Sequence, residues 1–238
     1  MQSGSRRPGQ DLLIVSTSPA EATATPALSR PRLIVAGVLL MLVALVVGAL
    51  VGRVTASSTA PMPGEVSAEA GFARDMQVHH GQAVEMALLV RDRSDDPEIR
   101  LLALDIATAQ AQQQGQMFAW LAIWGLPQTS SEPEMDWLSR PVIDGSAGHE
   151  GHGGHTPGEP MPGVASFERM QALQNATGVE AERFFLELMI AHHQGGVDMA
   201  DAVIARSGNP QVTTLARGMV QLQSKELDYM SELLAARS

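Results

Sequence analysis

Between Glu69 and Ala87 the apolar positions and the histidines fall on one side of a helix. At 100° per residue Glu69, Phe72, His79, His80, Met86 and Ala87 all lie within about 80° of Met76. The inward stripe is Phe, Met, Ala and His with one Glu. The stripe returns 113 residues later, without a gap, as Glu182, Phe185, Met189, His192, His193, Met199 and Ala200. The match runs on past the helix end. Pro97 falls on Pro210, Leu102-Ala103 on Leu215-Ala216, Gln110 on Gln223 and Met117 on Met230.

Each repeat predicts a helical hairpin, 66–93 with 97–125 and 179–206 with 210–237. Asp96 with Pro97, and Gly208 with Asn209 and Pro210, supply the stop and start signals at the two turns. Thr177 with Glu180 reads as a capping box. Short connections make the paired helices antiparallel, and neither hairpin can bury its stripe alone. The expected fold is all-α, a pseudo-twofold four-helix bundle. Its parts are a first repeat over 66–125, a Gly/Pro/His-rich connecting loop over 126–165 and a second repeat over 166–238. A short helix is expected near 165–174, with the rest of the loop irregular.

Ahead of the repeats, Leu33 to Gly52 holds no charge and no proline, and at ~1.5 Å per residue it spans a ~30 Å hydrocarbon core. This predicts a transmembrane helix over 33–52, a disordered cytoplasmic tail over 1–32 and a linker over 53–65. Arg6, Arg7, Arg30 and Arg32 precede the apolar run against Asp11 and Glu21, which places the N-terminus in the cytoplasm and the bulk of the chain outside. A single-pass membrane protein with an extracytoplasmic domain is the expectation. A signal peptide cleaved after Val54-Thr55-Ala56 is the competing reading, disfavoured by the length of the leader.

Composition narrows the chemistry. Aromatic residues are only 4%, which suits helices better than a β-sandwich. Residues 53–238 carry 12 Lys and Arg against 24 Asp and Glu, a formal charge of −12. Nucleic acid is excluded as a partner, since phosphate binding needs a basic patch, and a cation fits better. There is no cysteine, so a soft metal ligand must be methionine.

The candidate metal ligands are Met76, His79, His80 and Met86 in the first repeat and Met189, His192, His193 and Met199 in the second. Thioether with imidazole suits Cu(I), and silver should behave alike, with other transition metals open; Ca²⁺ and Mg²⁺ want oxygen. Buried methionines also serve simply as gap-filling core. Adjacent histidines are about 100° apart and cannot chelate one ion from one helix, so ligands from both repeats or separate sites are required. At least one His and one Met of each repeat should face a common interior. Secondary candidates are Glu69 and Glu182, which also read as helix-entry charges, and His149, His152 and His155 in the connecting loop. Gln110 and Gln223 read as packing or surface groups.

No catalytic constellation emerges. The Glu-x-x-His pairs of di-iron carboxylate proteins are lacking, because Met76 and Met189 stand three residues before His79 and His192. The reading is a non-enzymatic metal-binding protein. Its alternatives are a helical interaction module docking a membrane or envelope partner, and a metal-dependent redox enzyme. No protein partner is identified, and a homo-oligomer is left open.

The doubled pattern F-x-x-x-M-x-x-H-H-x-x-x-V-[E/D]-M-A, followed each time by Pro, Leu-Ala, Gln and Met, resembles the domain-of-unknown-function 305 family of bacterial exported proteins. The resemblance covers about 66–237 apart from the central loop. It implies a ferritin-like four-helix fold and, for some members, extracytoplasmic copper binding, with the Met and His positions named above. Glu226 matches the family's acidic position in the second repeat, whereas Gln113 stands there in the first.

Overall fold

The computed structural model describes residues 30–56, 62–143 and 159–237. It is helical throughout, without strands among the described residues, and divides into two units at Thr59 and Ala60. The first unit contains helix α1, Arg30–Ala56. Its apolar side chains from Val38 to Val51 are exposed. Among the described residues no helix is long and apolar enough to cross a membrane. The helix outruns the expected segment into the predicted linker, and the tail before Arg30 lies outside the described residues.

The second unit is built from α2 (Ala68–Arg93), α3 (Pro97–Ile123), α4 (Phe167–Asn175), α5 (Gly178–Arg206) and α6 (Pro210–Ala235). The caps explain most boundaries. Asp96 accepts from the amides of Glu98 and Ile99, and Asn209 from that of Gln211, with proline next in each case. The expected capping box at Thr177 does not form. Thr177 is the N-cap, but Gly178 enters the helix at φ +57°, and the Thr177 hydroxyl makes no capping bond.

The hairpins α2–α3 and α5–α6 meet through α2 against α5. Two apolar cores result, each drawing on all four long helices. One joins the start of α2 and end of α3 to the end of α5 and start of α6. The other joins the opposite ends and takes in Leu173 of α4. Glu69 and Glu182 tie the hairpins together. Ser207 Oγ donates to Glu69 at 2.7 Å and Ser94 Oγ to Glu182 at 2.6 Å, a pseudo-twofold pair of bonds from the end of one hairpin's first helix to the start of the other's. Arg237 also donates to Glu182, at 2.7 Å.

The connector is less irregular than expected where it is described. A 3-10 turn at Asp136–Ser139 buries Trp137, whose ring packs edge-on against Phe72. Asp75 Oδ2 accepts from Met135 N–H at 2.7 Å and Trp137 Nε1–H at 2.9 Å, which pins this turn to α2. Residues 161–164 lie against α5, where Gly195 and Gly163 permit a backbone approach that a Cβ at either position would block.

Candidate metal centre

Between the two apolar cores the domain carries a polar layer. His79, His80, His192 and His193 are completely buried, from adjacent positions on α2 and α5. The His79 and His192 rings approach with centroids 3.7 Å apart and planes tilted by 35°, and His80 and His193 flank them, each 6.3 Å from its neighbour in sequence.

Every imidazole is oriented by one acceptor at Nε2. His79 donates to the Pro162 carbonyl at 3.0 Å and His192 to the His79 carbonyl at 2.8 Å. His80 meets Gln113 Oε1 at 2.7 Å, and His193 meets Glu226 Oε2 at 2.8 Å, the same contact in the two repeats. Carbonyl and carboxylate oxygens only accept, so a proton sits on each Nε2, and wherever the ring is neutral Nδ1 keeps a bare lone pair. All four Nδ1 atoms are buried without a hydrogen-bond partner among the described residues. Burial keeps three of these rings neutral, pushing His79 down to about 4, His80 to about 3 and His192 well below its ordinary value.

The methionines border this layer. Met76 and Met199 are buried in one core and Met86 and Met189 in the other, so each core takes one candidate thioether from each repeat. Neutral imidazole nitrogens beside thioethers form a donor set that fits a soft monovalent ion. Among the described residues no three His, Asp or Glu side chains are arranged to hold a metal ion.

The secondary candidates fare differently. Glu69 and Glu182 are engaged by Ser207, and by Ser94 and Arg237, as clamps between hairpins. His149, His152 and His155 lie outside the described residues. Sequence reasoning undervalued Gln110 and Gln223. Both are buried, and neither carboxamide oxygen nor nitrogen has a partner among the described residues. Gln110 lies one turn from Gln113 on α3, and its repetition as Gln223 beside the repeated histidine contact was the available signal.

Compared with known proteins, residues 69–234 match the profile described as "Domain of unknown function (DUF305)". No curated protein matches. A crystal structure of a DUF305 protein from Streptomyces coelicolor is similar at 45% identity and a TM-score of 0.64, covering 73% of this chain and 96% of that one. A DUF305 fragment from Deinococcus radiodurans shares 33% identity, with a TM-score of 0.54 and coverage of 71% and 96%. CopM in its Cu(I)-bound form shares the fold at 22% identity and a TM-score of 0.51, covering 71% and 96%. The family profile and both relatives above 30% identity agree: this chain belongs to the DUF305 family.

Proposed function

We propose that this protein binds copper as Cu(I), on the histidines and methionines between its two hairpins, and buffers, sequesters or hands on the ion. The observation that carries the reading is the set of four buried imidazoles whose Nε2 atoms are engaged and whose Nδ1 atoms have no hydrogen-bond partner among the described residues. Unpaired buried polar atoms are costly and rare in native interiors, and a metal ion uses the lone pair that a hydrogen-bond donor would. The soft flanking sulfurs select Cu(I) or Ag(I) over hard divalent ions. Support also comes from CopM, a protein of the same fold whose structures hold Cu(I) and silver.

The domain sits outside the cytoplasmic membrane in this reading, as a four-helix bundle that follows the apolar run over 33–52. The basic residues before the apolar run and the acidic domain after it carry that part of the proposal. In this reading the protein binds the ion without turning over a substrate. Titrating the full-length chain with Cu(I) against a competing chelator tests the proposal. Binding far tighter than that of a helical control without His and Met is expected. Binding no tighter than the control would overturn it.

A further inference from the structure

An ion bound at the histidine layer has to reach it through a closely packed domain, since His79, His80, His192 and His193 are all fully buried. α3 packs chiefly on α2, and α6 on α5, and between α3 and α6 runs a groove of about 650 Å³. Gln113, Gln116 and Trp120 of α3 line it together with Gln211, Thr214 and Gly218 of α6. The last three are exposed, so the groove opens to solvent. Gln113 is the buried member of the lining, and its Oε1 is the atom that accepts from His80 Nε2 at 2.7 Å. A single carboxamide thus lies between the groove and the outer imidazole of the first repeat.

The second repeat supplies the comparison, because the same positions recur between α6 and α3 with different residues. Gln116 corresponds to Tyr229 and Gln211 to Glu98, each 113 residues apart. Tyr229 Oη donates to Glu98 Oε1 at 2.7 Å, which ties α6 to α3 at the place where the groove would recur. Larger side chains stand there too, Asp105 for Gly218 and Leu101 for Thr214. Glu226, the counterpart of Gln113, lies one turn before Tyr229 with its side chain 15% exposed, and its carboxylate is engaged by His193. The duplicated hairpins are therefore bridged on the His193 side and open on the His80 side.

We propose that Cu(I) enters and leaves the histidine layer through the α3–α6 groove, with Gln113 as the gate in front of His80. Swinging this carboxamide aside uncovers the imidazole without moving a helix. Gln113, Gln116 and Gln211 are neutral, so a soft cation passes them without being held by hard carboxylates. The route rests on the copper reading, and exchange rates separate the two. Release is timed by mixing the full-length, Cu(I)-loaded chain with excess coloured Cu(I) chelator, and uptake by mixing the metal-free chain with the chelator's Cu(I) complex. Gly218→Phe fills the groove, since nothing lies within 4 Å of a Cβ there. It should slow uptake and release alike by about tenfold or more and leave Kd unchanged, because a plug outside the ligands raises one barrier seen from both sides. Gly115→Phe, equally free of neighbours on α3 but outside the groove lining, should change neither rate, and nor should Tyr229→Phe. Thr214→Phe plugs the same groove should Gly218→Phe fail to fold. Unchanged rates in the plugged chain, a slowing that Gly115→Phe matches, or faster exchange in Tyr229→Phe would overturn the route while the copper reading stands. A parent chain that binds no Cu(I) overturns both.

Discussion

His79 and His192, identical positions in two repeats 113 residues apart, bring their ring centroids to 3.7 Å, yet their Nε2 protons go to different acceptors. His192 reaches the His79 main chain, as strict twofold symmetry would demand of both. His79 instead reaches Pro162, because the connector has docked on that side. The duplicated hairpin has therefore diverged at its centre into two unequal halves.

The outer pair is unequal too, since Glu226 faces His193 where Gln113 faces His80. A carboxylate orients an imidazole and makes it more basic, and losing such a partner lowers metal affinity by ~10- to 100-fold. Glu226→Gln should weaken the tighter phase of Cu(I) binding by about that factor and turn two unequal phases into nearly equal ones. Chelator competition on the parent and variant chains checks this; unchanged affinity would remove Glu226 from the site.

Replacing His79, His80, His192 and His193 together should abolish the tightest Cu(I) binding, whereas replacing His149, His152 and His155 should remove only weaker capacity. Rigid helices preorganise ligands, while a Gly-rich segment loses chain entropy on binding. Equal losses in the two variants, measured against the same competitor, would overturn this division.

Acid should destabilise the metal-free chain. Burial lowers His79 to about 4, His80 to about 3 and His192 well below normal, so the unfolded chain takes up protons that the folded one refuses. Their contribution is complete above ~6.5 and is lost as pH falls towards the folded values, on the order of several kcal/mol in all. Asp75 works the other way. Burial raises it to about 6, so its contribution is complete below 3.8 and fades as pH rises through 6. Three imidazoles outweigh one carboxyl, and the urea midpoint should drop clearly between about pH 7 and pH 4.5. An ordinary imidazole would lose its lone pair near pH 6.5; these should keep theirs at pH 5, so Cu(I) affinity should persist there.

Gly195→Ala should undo the docking of the connector, since its Cβ would overlap the Pro162 carbonyl. A loss of ~1–3 kcal/mol in chemical denaturation is expected, as for other overpacked sites. Gly115→Ala, in a helix with no atom within 4 Å of the new Cβ, should instead gain ~0.5–1 kcal/mol. A G195A chain as stable as the parent would show that the connector does not bear on α5.

Glu182→Ala should cost more than Glu69→Ala. Glu182 is buried between Ser94 and Arg237, so its removal leaves the Ser94 hydroxyl without its acceptor and Arg237 with Asp96 as its remaining carboxylate, at ~2–3 kcal/mol. Glu69 is only partly buried and bonds to Ser207, which sets its loss nearer ~1 kcal/mol. Denaturant midpoints of the two variants test the order.

Helices, their pairing and the Met/His stripe were legible in the chain because each is written at short range. Helical period, the Asp96-Pro97 and Asn209-Pro210 caps and the 113-residue repeat need no knowledge of distant contacts. The same local signals fell short at Thr177, where Gly178 chose another backbone path. What only the tertiary structure decided was which atoms of those residues are free. Acceptors from Pro162, Gln113, Glu226 and the opposite α2 claim the Nε2 protons and leave Nδ1 bare, and Ser94 and Ser207 claim the glutamates. Those partners come from 33 to 138 residues away. A sequence repeat specifies that two hairpins are alike, but the path of a single connector between them breaks that likeness, and packing alone decides on which side.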